Sequence, residues 1–427
     1  MRKLFGSIAM LLLVSNLFAQ SKTTLIKTGK LIDVESGKVL TNQMILVRND
    51  SIIKVDSSIA ITNDATVIDL SKYTVLPGLI DCHTHITGQP GGDYYADIFR
   101  KTPVDVAVTA HIYAKRTLEA GFTTVRDLGA SGLVDIALRN AINNGDIAGP
   151  NIYAATAFIG STGSHGDLNG FSAYLQFNMP KGMSGVANGV EGVREQVRYN
   201  VKNGADVIKF GASAGVLSEE ESVGAPQYTQ EEMNAIVSEA KMWGRKTAAH
   251  AHGAEAIKMA IKAGVASVEH GSFLDAEGIQ LMKEHGTYLV ADVYDDEYII
   301  SEYAKLGYPE KIINKEKMVG KLQRENFQKA VEAGVKIAYG TDAGVYPHGW
   351  NGKQFKWMTR FGLSPMAAIQ AATINAADLV GIKEKTGSIK AGKKADIIAV
   401  MINPIEDVTS LENVQFVMKG GVVYKNN

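Results

Sequence analysis

The sequence predicts an α/β chain, a (β/α)8 TIM-like barrel accompanied by a small β-sandwich domain that both chain ends build together. Three observations carry this. Between residues 74 and 341, eight short β-branched, apolar runs alternate with helical text, the pattern of parallel βα units. The two ends read instead as strands broken by Gly and Asn-Asp turns, each with too few strands for a sheet of its own. The polar residues of the runs gather at their C-terminal ends, where such a barrel carries its chemistry.

In chain order, Met1-Arg2-Lys3, the apolar stretch from Leu4 to Val14 and the small Ala19 before Gln20 read as a secretory signal peptide over 1–19. The apolar stretch is too short for a comfortable membrane span. Residues 20–75 and 384–427 are assigned to the β-sandwich domain and 76–383 to the barrel. The eight runs are 74–86, 123–128, 151–158, 206–212, 246–252, 266–271, 287–293 and 336–341, with amphipathic helices at 230–243 and 254–263. Two connections exceed what the fold needs: 160–192, with eight glycines, and the charged, aromatic 292–318.

Composition bounds the function. Hydrophobic residues make up 45% of 427 and charged residues 21%, a globular balance with ample core material. Lys+Arg of 44 against Asp+Glu of 45 leaves a net charge of −1, which gives no electrostatic footprint for nucleic acid. The single cysteine, Cys82, cannot form an intrachain disulfide, so an exported chain must rely on its core. An exported protein, periplasmic or secreted and not inserted in the membrane after cleavage, is expected.

The chemistry begins at Asp81-Cys82-His83-Thr84-His85. Residues two apart in a strand share a face, so His83 and His85 can approach one metal while Cys82 points into packing. Lys209, His250, His270 and Asp342 end later runs. Five His or Asp groups exceed the needs of one four-coordinate zinc, so two divalent ions fit better. Lys209, in an apolar strand, must pair, lose its charge or react, because a bare buried ammonium is costly.

Asp81-x-His83-x-His85, Lys209, His250, His270 and Thr341-Asp342 resemble the amidohydrolase superfamily over essentially the whole mature chain. Gly163-Ser-His165-Gly, Val207-Ile-Lys209-Phe, Gln227-Tyr228 and Ala249-His250-Ala-His252-Gly resemble its Xaa-Pro dipeptidase branch, which also holds carboxypeptidase-like enzymes for basic C-termini and ochratoxin-hydrolysing amidases. The resemblance implies that His83, His85 and Asp342 hold one metal and that His250 and His270 hold the other. An N6-carboxylated Lys209 would bridge the two, most readily Zn2+. His250 and His252 compete for the ligand role; the branch's ligand spacing before His270 favours His250 and leaves His252 to the substrate.

The implied reaction is amide hydrolysis by a metal-bridging hydroxide on a dipeptide or N-acyl amino acid with a free C-terminal carboxylate. Asp342 would act as general base and then acid, His252 or Tyr228 as oxyanion donor, and His165, His252 and Tyr228 as substrate contacts. A homo-oligomer is implied as well. Arg126-Asp127 reads as an ion pair behind the metal site. His111 and His285 read as structural, and His348 lies at the substrate end without an assigned role. Two alternatives stand beside this reading: a cyclic-amide hydrolase resembling imidazolonepropionase, and a non-catalytic assembly protein on the same fold.

Overall fold

The computed structural model describes residues 22–60, 65–92, 96–172, 174, 180 and 182–427. The expected signal peptide lies outside the described residues. The N-terminal end supplies β1 (Thr23–Asp33), β2 (Lys38–Thr41), β3 (Met44–Arg48), β4 (Ser51–Asp56) and β5 (Thr66–Pro77). β3 and β4 form an antiparallel hairpin closed by Asn49-Asp50. Asn49 sits at φ 54°, the left-handed geometry that tight hairpin turns demand and asparagine tolerates. Ile45 and Val47 alternate inward on β3, as a half-buried strand requires.

After Gly78 the chain runs straight into β6 (Leu79–Thr84). A side chain at Gly78 would collide with Thr123, so glycine lets the two segments pass closely. β6 pairs in parallel with β7 (Phe122–Asp127), and β7 with β8 (Asn151–Ala154). A second parallel sheet runs β9 (Val207–Gly211), β10 (Lys246–Ala251), β11 (Ser267–His270) and β12 (Tyr288–Val290). Parallel bridges join the two sheets on both sides: Ile159 with Phe210, Leu289 with Ile337, and Thr84 with Ala343. The parallel pairing therefore returns to its start at β6.

The eighth run, 336–341, forms no regular strand. Its backbone is shared among several partners: Tyr339 N donates to Ala371 O, Asn375 donates to Ile337 O, and Gln354 to Gly340 O. Cys82 N donates to Tyr339 O at 2.8 Å, so the segment still pairs with β6. The connection 292–318 also differs from the loop expected of it. It holds the whole of helix Asp295–Glu302 and the start of the 23-residue helix Glu310–Glu332, which begins after Pro309. The Arg324 guanidinium couples the two helices through Asp296 and Glu297.

Elsewhere the helical text behaves as its periodicity requires. Helix Gln230–Met242 opens on a Thr229/Glu232 capping box, which satisfies donors the first turn would leave bare. Helix Ala254–Ala263 buries Ala256, Ile257, Ala260 and Ile261. Covering each isoleucine stabilises by roughly 1.5–3 kcal/mol. Among the described residues no helix is long and apolar enough to cross a membrane.

The C-terminal end returns as β13 (Ile397–Val400), β14 (Phe416–Lys419) and β15 (Val422–Asn426). β13 pairs antiparallel with β5, so both chain ends share one sheet of order β15-β14-β13-β5-β1-β3-β4, with β2 on β1. Ile26, Ile45, Val75, Ile397 and Phe416 form its separate core.

Candidate metal centre

β6 carries His83, and His85 directly follows its last residue, at the mouth of the parallel ring. His83 Nε2 and His85 Nε2 lie 3.5 and 3.4 Å from Asp342 Oδ1. Lys209 Nζ, on β9, lies 3.3 Å from His83 Nε2. Asp81 sets this register. Its carboxylate accepts from Thr341 Oγ1 at 2.6 Å, from Asn351 Nδ2 at 2.8 Å and from the backbone of His83 and Thr341 at 3.1 Å. Burial pushes the Asp81 carboxyl up to about 7 against those donors.

The second group comes from β10 and β11. The His250 and His252 rings lie 4.6 and 4.7 Å from the His270 ring, the latter pair stacked. Ligand atoms of all three converge within 4.8 Å, as do those of His83, His85 and Asp342, and those of His270, Asp292 and Asp342. His270 and Asp342 sit at φ 67° and 53°, left-handed backbone that costs energy and turns each side chain into the site. His252 Nδ1 is engaged by Ser272 Oγ at 2.7 Å, whereas His250 Nε2 is buried with no hydrogen-bond partner.

Behind the candidate ligands lies a layer that spacing alone did not assign. His83 Nδ1 faces Glu269 Oε2 at 3.1 Å, an ionic contact rather than an aligned hydrogen bond. Glu269 is paired in turn with Arg126 at 2.9 Å and with Ser267 Oγ. Asp292 holds His270 Nδ1. Arg126 therefore does sit behind the site, but its carboxylate partner is Glu269; Asp127 instead accepts from Ile86 N at 2.5 Å. A signal existed in Glu269-His270, adjacent polar residues in an apolar strand, but strand alternation argued against both facing inward.

Electrostatics follow burial. The site desolvates Lys209, pulling its ammonium down to about 8 although Glu269 and Asp342 favour the charge. Burial likewise holds His83, His250 and His252 well below the usual imidazole range, in the neutral form a metal ligand needs. His270 is the exception: burial opposes its charge, but the charge and hydrogen bond of Asp292, joined by the charge of Asp342, raise it.

A cavity of about 770 Å³ opens onto these groups and is lined by His83, His85, Lys209, His250, His252, His270, Asp342 and His165. His165 stacks on His250 at 4.2 Å, and a side chain at Gly215 would lie 2.6 Å from the His165 ring. Tyr228 does not belong to this wall. Its hydroxyl donates to Ala187 O at 2.8 Å in the protein interior, which corrects the substrate-contact and oxyanion roles expected of it. His348 is buried too: its Nε2 lies 2.8 Å from Gly88 O and 3.2 Å from His85 O, fixing the turn that follows His85.

Residues 74–424 match the amidohydrolase family. The chain belongs to that family. It is 35% identical to the ochratoxinase of Aspergillus niger, over 95% of this chain and 87% of that protein. A crystal structure of a Xaa-Pro dipeptidase with bound methionine superposes with a TM-score of 0.90 at 45% identity, covering 95% of this chain and all of the other. A prolidase complexed with N-methylphosphonate-L-proline gives 0.87 at 29% identity, again over 95% of this chain and 100% of the other. As a family member with these relatives, the protein is a hydrolase acting on amide bonds, and its His/Asp clusters are those that could bind divalent metal.

Proposed function

We propose that the protein is a binuclear metal-dependent hydrolase of dipeptides or N-acyl amino acids with a free C-terminal carboxylate. The observation that carries this is the pair of converging ligand groups facing one cavity, with Lys209 beside them. The donor set fits two cations: Asp342 Oδ1 and His250 Nε2 are buried without hydrogen-bond partners, which is costly unless something else satisfies them. His83, His85 and Asp342 would hold one ion and His250 and His270 the other. A carboxylated Lys209 would serve both; a buried amine pulled down to about 8 is partly neutral near pH 7.5 and so open to carbon dioxide. Zinc suits these imidazole and carboxylate donors.

When bound, the ions would supply Lewis acidity and a water acidified toward neutral pH. Asp342 would take the proton of the attacking water and return it to the leaving amine. His252, held by Ser272, would donate to the oxyanion, and His165 would contact the substrate. Similarity to an ochratoxinase, a Xaa-Pro dipeptidase and a prolidase supports the substrate class. We further propose that the ring of parallel pairing is a (β/α)8 barrel with a β-sandwich from the chain ends, and that the enzyme is exported after loss of 1–19 and forms a homo-oligomer.

Elemental analysis of protein purified without chelator, beside a dipeptide and N-acyl amino acid hydrolysis screen, tests the reading. About two metals per chain with release of a C-terminal amino acid are expected. Two metals without cleavage of any such substrate would overturn the substrate class; no retained or reconstitutable metal would overturn the mechanism.

A further inference from the structure

One wall of the cavity is acidic in a way the hydrolytic chemistry does not use. Asp292, Asp295 and Glu316 all line it, the last two from helices Asp295–Glu302 and Glu310–Glu332. Asp292 is occupied by His270 and Gln323, and Asp295 shares a hydrogen bond with Asp292. Glu316 differs. It is 3% exposed and reaches the cavity, yet no hydrogen bond or ion pair among the described residues meets its carboxylate.

The nearby cations are committed elsewhere. Arg324 is paired with Asp296 and Glu297 and stacks 3.9 Å above the Trp357 ring. Lys315 Nζ donates to the carbonyls of Gly215, Ser218 and Glu220 at 2.9, 2.7 and 3.0 Å. At the cavity mouth Lys101 is paired with Asp97 at 2.6 Å. Glu316 also lies outside all three groups whose ligand atoms converge, so the metal centre does not account for it. An ionised acid buried beside other acids is costly unless a cation meets it. In the free protein burial and the charges of Asp296 and Asp292 push the Glu316 carboxyl up to about 8, and a cation arriving beside it would favour its charged form. Here the open side faces the ligand space.

We propose that Glu316, backed by Asp295, binds a cationic group of the substrate, an ammonium or guanidinium, and so selects substrates that carry one. This rests on the amide-hydrolase reading. A salt link closed inside a desolvated cavity discriminates more strongly than one in water, because removing the cation leaves the carboxylate unmatched.

The test uses metal-loaded enzyme and three matched pairs: alanyl-lysine against alanyl-norleucine, lysyl-alanine against norleucyl-alanine, and alanyl-leucine against propionyl-leucine. These place the cation on the leaving residue, on the acyl residue, or at the free amine. The native enzyme is expected to favour the cationic member by about tenfold or more in kcat/KM in one pair. E316Q and E316L are expected to bring that ratio near one. Ratios near one in all pairs for the native enzyme, or an unchanged ratio in a folded E316Q or E316L, would overturn the proposal. If both variants fail to fold, D295N is measured instead: a ratio brought near one supports the proposal and an unchanged ratio overturns it. Hydrolysis of neutral members without preference sinks only the charge selection. Failure to cleave any member, or any library dipeptide or N-acyl amino acid, sinks the amide-hydrolase reading and this one with it.

Discussion

Asp292 Oδ2 lies 2.7 Å from His270 Nδ1, and the same carboxylate takes Gln323 Nε2 on its other oxygen at 2.6 Å. A carboxylate accepts only, so this ring carries its proton on Nδ1 and presents Nε2 to the cavity. Asp292 thus decides the tautomer of a candidate ligand from a position that contributes no obvious motif. D292N should leave the fold intact and weaken metal retention by about 10- to 100-fold, read by competition against a chelator. Retention equal to the native protein would remove Asp292 from the site's support.

Lys209 Nζ lies 3.3 Å from His83 Nε2 and lines the cavity that both candidate ligand groups face. K209M should lower bound metal and hydrolysis together, and a short carboxylic acid added in excess should restore part of both by replacing a bridging carboxylate. Full metal content and activity in K209M, measured by elemental analysis and turnover, would exclude the bridging role.

In chelator-treated protein the histidines whose charge is suppressed by burial should each favour unfolding as the pH falls from about 6.5 to about 4. Burial pulls His165 down to about 3 and His348 down to about 4, and lowers His83, His250 and His252 as well. In that window an unfolded imidazole binds a proton that its folded counterpart refuses. Buried carboxyls such as Asp81, pushed up to about 7, and Glu316, pushed up to about 8, bind protons more readily when folded and oppose the trend. Thermal melts of native and H348N protein across the window isolate the share of one such histidine: the native protein should lose more stability toward acid than H348N, and equal losses would contradict a buried neutral His348.

Lys315 clasps the segment that carries Val216 and Leu217 into the cavity wall. K315M should cost on the order of 2–3 kcal/mol of stability, since buried carbonyls lose a charged donor. It should raise KM more than it lowers kcat, with metal content unchanged. A purely structural role would lower the melting temperature and leave KM alone.

Y228F tests the reassignment of Tyr228. Losing the bond to Ala187 O should cost about 1 kcal/mol, while kcat stays within about threefold of native. A fall of about 100-fold, the scale of a lost oxyanion donor, would return Tyr228 to the chemistry.

Much of the site was legible because its residues end apolar runs, where a polar side chain has little reason to be. His83, His85, Lys209, His250, His270 and Asp342 each stand out that way, and the cavity brings all of them together. Tyr228 misled because a tyrosine in a motif gives no sign of which way its hydroxyl points. Glu269 was hidden by strand alternation, which the left-handed backbone at His270 breaks at the end of β11. Helix Asp295–Glu302 and the start of helix Glu310–Glu332 were hidden by the charge of 292–318, since Asp296 and Glu297 read as a solvated loop until Arg324, beyond it, is seen to pair with both.

The sequence by itself determined the alternation of short strands and helices, the sharing of one sheet by the two chain ends and the residue types at the candidate metal centre. Those features depend on local periodicity and on side-chain chemistry, which the order of residues carries directly. Only the tertiary structure decided which carboxylate orients which histidine, where Tyr228 spends its hydroxyl, and that Glu316 meets the cavity without a partner. These depend on contacts between residues such as His83 and Glu269, 186 positions apart, whose approach is set by how the ring of parallel strands closes.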